Sequence, residues 1–361
     1  MNRCSIEGLY GKGVKVHLEP FQVPDFRSLV RTTDSMKEMS ETDVSEKAPS
    51  VWAVMPPRFL PRQGRKILFT MMESAKVPKT FAEKCNNADE VWLPSKFNMD
   101  MFKEANVDAE LYHMPLGVDN SLFKPLELTQ DQKSKFNIKT KSFVFMSLFG
   151  WSLRKGCDVL LRSYLEAFSA DDDVTLLIVS RKDGTSSQEK NKEIRDEIQS
   201  YIKRWCPDKE HPHIIHIGEA IEEQFLPILY NMSDCFVLPS RGEGFCLPIA
   251  EAGACEIPVI STNFGGHLDF LNQDNAYLVD IEGCDMSNQQ IKSLSSYYED
   301  VPFPVLGDKS VAQIKEYMHF VLENYSKAKE KSKLLKDNIV DNFSWDQLVD
   351  KIYKRIKENQ Q

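Results

Sequence analysis

Along the 361 residues, short β-branched or aromatic runs alternate with segments whose apolar residues recur at helical spacing. In the first third the strand candidates are VKVHLE (14–19), SVWAVM (50–55), KILFTM (66–71), EVWLPS (90–95) and ELYHMP (110–115). PKTFAEKCNN and KFNMDMFKEAN separate the last three and read as helices. Such alternation predicts a parallel sheet with crossover helices. Residues 34–47 are charged and rich in Ser and Thr, and read as a solvated loop. GLYGKG (8–13) reads as a helix end turning into the strand at Val14.

The pattern pauses over 117–140, where turn residues and charges mark a linker. A second alternation then runs through SFVFMSLFG (142–150), CDVLLRSYLEAF, VTLLIVS (174–180), a charged helix from about Gln188 to Trp205, HIIHIG (213–218), IEEQFLPILYNM, DCFVLPS (234–240), a helix after Phe245, and PVIST (258–262). This predicts a doubly wound α/β domain. The tail FSWDQLVDKIYKRIKE is an amphipathic helix with Leu348, Ile352, Tyr353 and Ile356 on one face. The expected division is an N-terminal domain over 1–125, completed by residues 343–361, and a C-terminal domain over 140–342.

Charge and composition narrow the chemistry. The net charge is -9, without the basic excess of a nucleic-acid binder, although a phosphate pocket needs only two or three cations. No run reaches transmembrane length and the first residues lack a signal-peptide core, so a cytoplasmic location is expected. The eight cysteines form no CxxC pair and read as small buried hydrophobes in a reducing compartment. Neither the histidines of HPHIIH (211–216) nor Asp171–Asp173 form a convincing ligand set, so no metal is expected.

Two strand–loop–helix elements carry candidate chemistry. In SRGEGFCLPIAEAGACEIPVIST (240–262), Gly242 and Gly244 allow close backbone approach, and a helix opens near Pro248 with N–H groups free for an anion. Glu243 and Glu251 would there accept hydrogen bonds from hydroxyls flanking a diphosphate. The same spacing fits a plain βα turn with one solvated glutamate and one helix-dipole partner, and spacing alone leaves both readings open. In FGWSLRKGCDVLL (149–161), Arg154 and Lys155 lie where they reach a diphosphate at the sheet's C-terminal edge.

With these residues in view, SRGEGFCLPIAEAGACEIPVIST resembles the donor-site motif of retaining GT-B glycosyltransferases of family 4, and LFGWSLRKGCDVLL resembles that family's phosphate loop. IHIGEAIEEQFLPILYNMSDCFVLPS is similar to the region flanking its nucleobase. FTMMESAKVPKTFAEKCNNADEVWLPSKFN, followed by MPLGVD, resembles a subgroup with Thr-Met-x-Glu and Pro-Ser-x-Phe-Asn elements. The resemblance implies two Rossmann-like domains facing a cleft, with the C-terminal helix returning to the first. It implies glycosyl transfer with retention, no metal and no cofactor, from a UDP- or GDP-linked sugar. The acceptor is left open among glycans, lipid-linked sugars and proteins.

Arg154 and Lys155 would hold the diphosphate. Glu243 and the backbone of Gly244, Phe245 and Cys246 would face the transferred sugar and phosphate, Glu251 the ribose, and Ala220 and Ile221 the base. Gly150, Arg241 and Leu247 complete the implied donor lining. Many members carry a histidine after the strand that here reads SVWAVMPP, where this chain has Met55 and Pro56. Glu73 is the nearest polar candidate, read as a site residue, with acceptor binding, donor-sugar binding and a local cap as its alternatives. Val14–Glu19 corresponds to the family's second strand, so the opening unit is expected to be absent. The competing functions are a catalytically weak GT-B protein that binds a nucleotide sugar or a partner, and a GT-B epimerase or phosphorylase.

Overall fold

The computed structural model describes residues 3–19, 33–60, 63–129, 142–182, 187–207, 210–286, 298 and 301–358. Part of the expected linker, 130–140, lies outside these. The chain divides into two compact units. The first comprises Met1–Met72, Lys76–Asp119 and Asn342–Gln361; the second comprises Glu73–Ala75 and Asn120–Asp341.

In the first unit, helices α1 (Arg3–Gly11) and α2 (Asp34–Glu41) precede β1 (Ser50–Ala53), β2 (Lys66–Phe69), α3 (Lys79–Cys85), β3 (Glu90–Leu93), α4 (Lys96–Glu104) and β4 (Glu110–His113). The four strands are parallel and paired in sequence order. Leu9, Ile67, Phe69, Trp92, Met114, Leu348 and Ile352 form one core beneath the sheet. Leu348 and Ile352 come from the C-terminal helix, Trp345–Glu358, whose apolar stripe needs a partner to leave water. Gly8 lets α1 approach that helix, since a Cβ there would strike the Val349 side chain.

Two expectations are corrected. Residues 14–19 join no sheet among the described residues. Val14 and Val16 instead pack against the core, while backbone N–H groups of Val14 and Leu18 donate to Leu9 and Met39 carbonyls at 3.1 Å each. Alternation predicts a buried face, and here that face packs on a core of both strand and helix side chains without pairing in a sheet. Residues 34–41 are α2 rather than loop. The Thr33 hydroxyl caps it by accepting from the Met36 N–H at 3.3 Å, and Met39 is fully buried.

The second unit contains β5 (Phe143–Gly150), α5 (Cys157–Ala167), β6 (Val174–Arg181), α6 (Gln188–Trp205), β7 (His213–Ile217), α7 (Leu226–Asn231), β8 (Cys235–Leu238), α8 (Leu247–Ala254), β9 (Val259–Thr262) and β10 (Tyr277–Val279). A short antiparallel pair follows, β11 (Cys284–Asp285) with β12 (Phe303–Pro304), then α9 (Asp308–Glu323) and α10 (Tyr325–Asn342). The main sheet is parallel, in the order β10-β9-β8-β5-β6-β7. The chain leaves β5 toward β6 and β7, then crosses to β8 on the other side. The β5/β8 boundary is thus a topological switch point, where two loops diverge and leave a crevice at the strands' C-terminal ends.

Candidate functional site

Both candidate loops emerge at this switch point. β5 ends at Gly150, which is exposed, and Leu153–Lys155 form a single tight turn. Gly156 ends the turn at φ +74°, and a Cβ there would strike the Pro239 carbonyl beyond β8. The neighbouring loop is stitched across: the Arg241 N–H donates to the Arg154 carbonyl at 2.7 Å, and the Ser240 hydroxyl to the same oxygen at 3.2 Å. Cys246 holds φ +75° at the start of α8, a conformation costly for a residue with a Cβ. Phe245 is buried against Phe270, with ring centroids 5.2 Å apart. Gly244 is buried and Leu247, opening α8, is half-buried.

The charges between these loops are compensated. Lys155 Nζ lies 2.6 and 2.8 Å from the two Glu243 carboxylate oxygens. Burial raises the Glu243 pKa, but Lys155 and Arg154 together outweigh it and hold the carboxyl below its ordinary range. Arg154 donates to the Gly242 carbonyl at 2.6 Å, and its other terminal nitrogen stands 3.8 Å from Glu73. Burial disfavours the Arg154 charge, and Glu73 and Glu243 more than offset this. Arg241, expected among the donor-lining residues, is buried. It forks onto Asp158 at 2.7 and 2.8 Å and donates to the Leu153 carbonyl at 2.6 Å, so in this arrangement it braces the loops.

Glu251, on α8, accepts from the Tyr230 hydroxyl at 2.8 Å, and burial pushes its carboxyl up to about 7 despite that bond. Ala220 and Ile221 are half-buried in the connection between β7 and α7. The structure thus joins Glu73, Arg154, Lys155 and Glu243 in one charged cluster, with Glu251 held separately by Tyr230. Among the described residues no three His, Cys, Asp or Glu side chains converge as a metal site.

Sequence reasoning did not find Asp158, Tyr230, Tyr298 or His267. Asp158 had a signal, being the acid in the first turn of the helix that follows the basic pair. Tyr298, whose hydroxyl donates to Glu73 at 3.1 Å, lies 225 residues away and had none. His267 is wholly buried, with Nε2 2.7 Å from the Thr262 carbonyl, and burial lowers its pKa.

Residues 140–296 match the family model described as glycosyl transferases group 1, and this segment contains both loops. A solved Anabaena protein, HepE in complex with UDP and glucose, superposes with a TM-score of 0.63 at 16% identity, covering 82% of this chain and 72% of that one. The chain has the GT-B fold. Two curated sequences are similar to this GT-B chain over about half of its length. One is a GDP-mannose-dependent alpha-mannosyltransferase of Corynebacterium glutamicum, 24% identical over 54% of this chain and 41% of the relative. Another is a GDP-mannose-dependent alpha-(1-6)-phosphatidylinositol monomannoside mannosyltransferase of Mycolicibacterium smegmatis, 27% identical over 50% of this chain and 46% of the relative. The matched stretch spans less than half the length of each of these curated relatives. No helix among the described residues is long and apolar enough to cross a membrane.

Proposed function

We propose that this chain is a glycosyltransferase that moves a sugar from a nucleotide-diphosphate donor to an acceptor with retention and without a metal. The observation that carries the reading is the position of Arg154 and Lys155 at the β5/β8 switch point, beside the N-terminus of α8. Cations and free helix N–H groups stabilise a leaving diphosphate as negative charge develops on it. In the proposed reaction the bond from the sugar's anomeric carbon to the diphosphate oxygen breaks. The acceptor hydroxyl oxygen bonds to the same face of that carbon, and its proton passes to the departing phosphate. Glu251 accepts the ribose hydroxyls, and Ala220 and Ile221 border the base. The Gly244, Phe245 and Cys246 backbone faces the sugar and phosphate. Glu243 turns to the sugar when the diphosphate takes over Lys155.

GDP-mannose, on which the two similar mannosyltransferases depend, and the UDP and glucose in complex with HepE make GDP- and UDP-sugars the first candidates. A thermal-shift series with UDP, GDP and ADP sugars tests this, because a ligand that binds only the native state raises its melting temperature. The expected result is stabilisation by one nucleotide class, lost in Lys155→Ala, with transfer persisting in EDTA. Activity abolished by EDTA and restored by manganese would remove the metal-free part of the proposal.

A further inference from the structure

Glu73 belongs to the second unit together with Ser74 and Ala75, although the chain on either side, up to Met72 and from Lys76, belongs to the first. Backbone packing holds it there. The space that a Gly242 side chain would fill is taken by the Glu73 carbonyl, and the Ala75 N–H donates to the Pro302 carbonyl at 2.9 Å. Tyr298 stands on the same support, its ring edge-on to Phe303 with centroids 5.2 Å apart. Its hydroxyl donates to Glu73 Oε2 at 3.1 Å, while Oε1 lies 3.8 Å from Arg154 Nη2.

The two ion pairs therefore differ. Lys155 is tightly closed on both oxygens of Glu243, whereas Arg154 meets Glu73 only loosely and across one oxygen. An arginine and a carboxylate left to themselves prefer a fork of two parallel hydrogen bonds. That fork needs both carboxylate oxygens turned to the guanidinium, and the hydrogen bond from Tyr298 holds Oε2 toward the phenol instead. Burial raises the Tyr298 pKa, so the phenol remains a donor at neutral pH. An anionic ligand at Arg154 competes with Glu73, and the competition is weaker while Glu73 is held back.

We propose that Tyr298 is a positioning residue that restrains Glu73, keeping the Arg154 guanidinium available to the donor's diphosphate. This rests on the donor reading given above. Glu73 is then an internal competitor of the diphosphate, which differs from acceptor binding and from a local cap.

A double-mutant cycle tests it, with UDP and GDP as probes in calorimetric titration of the full chain. Releasing one hydrogen bond in Tyr298→Phe should weaken binding of the nucleotide that wild type prefers by about five- to tenfold. Glu73→Gln, which removes the competing charge, should tighten it. In the Glu73→Gln background, Tyr298→Phe should have no further effect, and a merely structural tyrosine would not show this dependence. Unchanged affinity in Tyr298→Phe, or the same loss in both backgrounds, overturns the proposal. Weaker binding in Glu73→Gln overturns it as well, and that variant decides the matter if Tyr298→Phe fails to fold. Wild-type nucleotide affinity in Arg154→Ala would instead show that the donor reading itself is at fault.

Discussion

Glu243 and Glu251 are eight positions apart in sequence, yet their surroundings push their carboxyls in opposite directions. Burial acts on both, but Glu243 faces Lys155 and Arg154 and stays charged, while Glu251, beside the neutral Tyr230 hydroxyl and the like charge of Glu223, rises to about 7. The Glu251 shift lies above its ordinary value of 4.5, so the folded chain retains a proton between about pH 4.5 and 7 that the unfolded chain has lost. Its stabilising contribution is therefore present below that window and lost as pH rises through it. Nucleotide binding should run the other way, because accepting two ribose hydroxyls favours the carboxylate. Affinity should rise roughly tenfold between about pH 6 and 8, and the rise should flatten in Glu251→Gln. Calorimetric titration across that range checks it, and an unaltered slope in Glu251→Gln would reject the ribose assignment. The motif made these two glutamates visible as a pair. Their unequal charge was not legible, because Tyr230 and Lys155 come from α7 and from the β5 loop.

At the scale of elements, the site depends on two βα connections meeting without intervening side chains. Gly156 serves that meeting twice, through its left-handed φ and through the space given to the Pro239 carbonyl. Gly156→Ala should cost roughly 1–2 kcal/mol for the backbone conformation alone, and more for the displaced carbonyl. Both the melting temperature and the stabilisation by nucleotide should fall. A melting temperature equal to wild type would show that the loops accommodate the methyl group freely. Strand and helix order was largely readable here, since β5 to β9 are apolar runs separated by periodic helices and turn residues. Val14–Glu19 misled for a physical reason: alternating apolar residues report a half-buried extended chain, and such a face packs on a core whether or not its backbone pairs in a sheet. The segment 34–41 misled in the opposite sense, because a helix burying one methionine has little periodicity to display.

Across the whole molecule, the chain divides into two units, and the C-terminal helix is bound into the first by charge as well as by apolar contact. Glu90, fully buried on β3, accepts from Trp92 Nε1 at 2.8 Å and from Arg355 at 3.1 Å through two nitrogens, and also pairs with Arg65. Removing the buried partner leaves Arg355 and Arg65 to the more exposed Glu110, at a cost of up to about 3–5 kcal/mol. Glu90→Ala should therefore loosen the first unit, with hydrogen exchange accelerating in β2 to β4 and the C-terminal helix while β5 to β9 stay protected. Uniform protection throughout would mean that the Arg355 anchor carries no stability. The sequence by itself determined the α/β class, the strand–loop–helix placement of Arg154, Lys155, Glu243 and Glu251, and the amphipathic closing helix. These follow from local rules: side-chain periodicity, glycine at tight turns and proline at a helix start. Only the tertiary structure decided that Glu73 joins Arg154 and Tyr298, that Arg241 is spent on Asp158, and that Lys155 rests on Glu243. Those pairings join residues that chain distance keeps apart, and charges are matched by whichever side chains the packed backbones bring within reach.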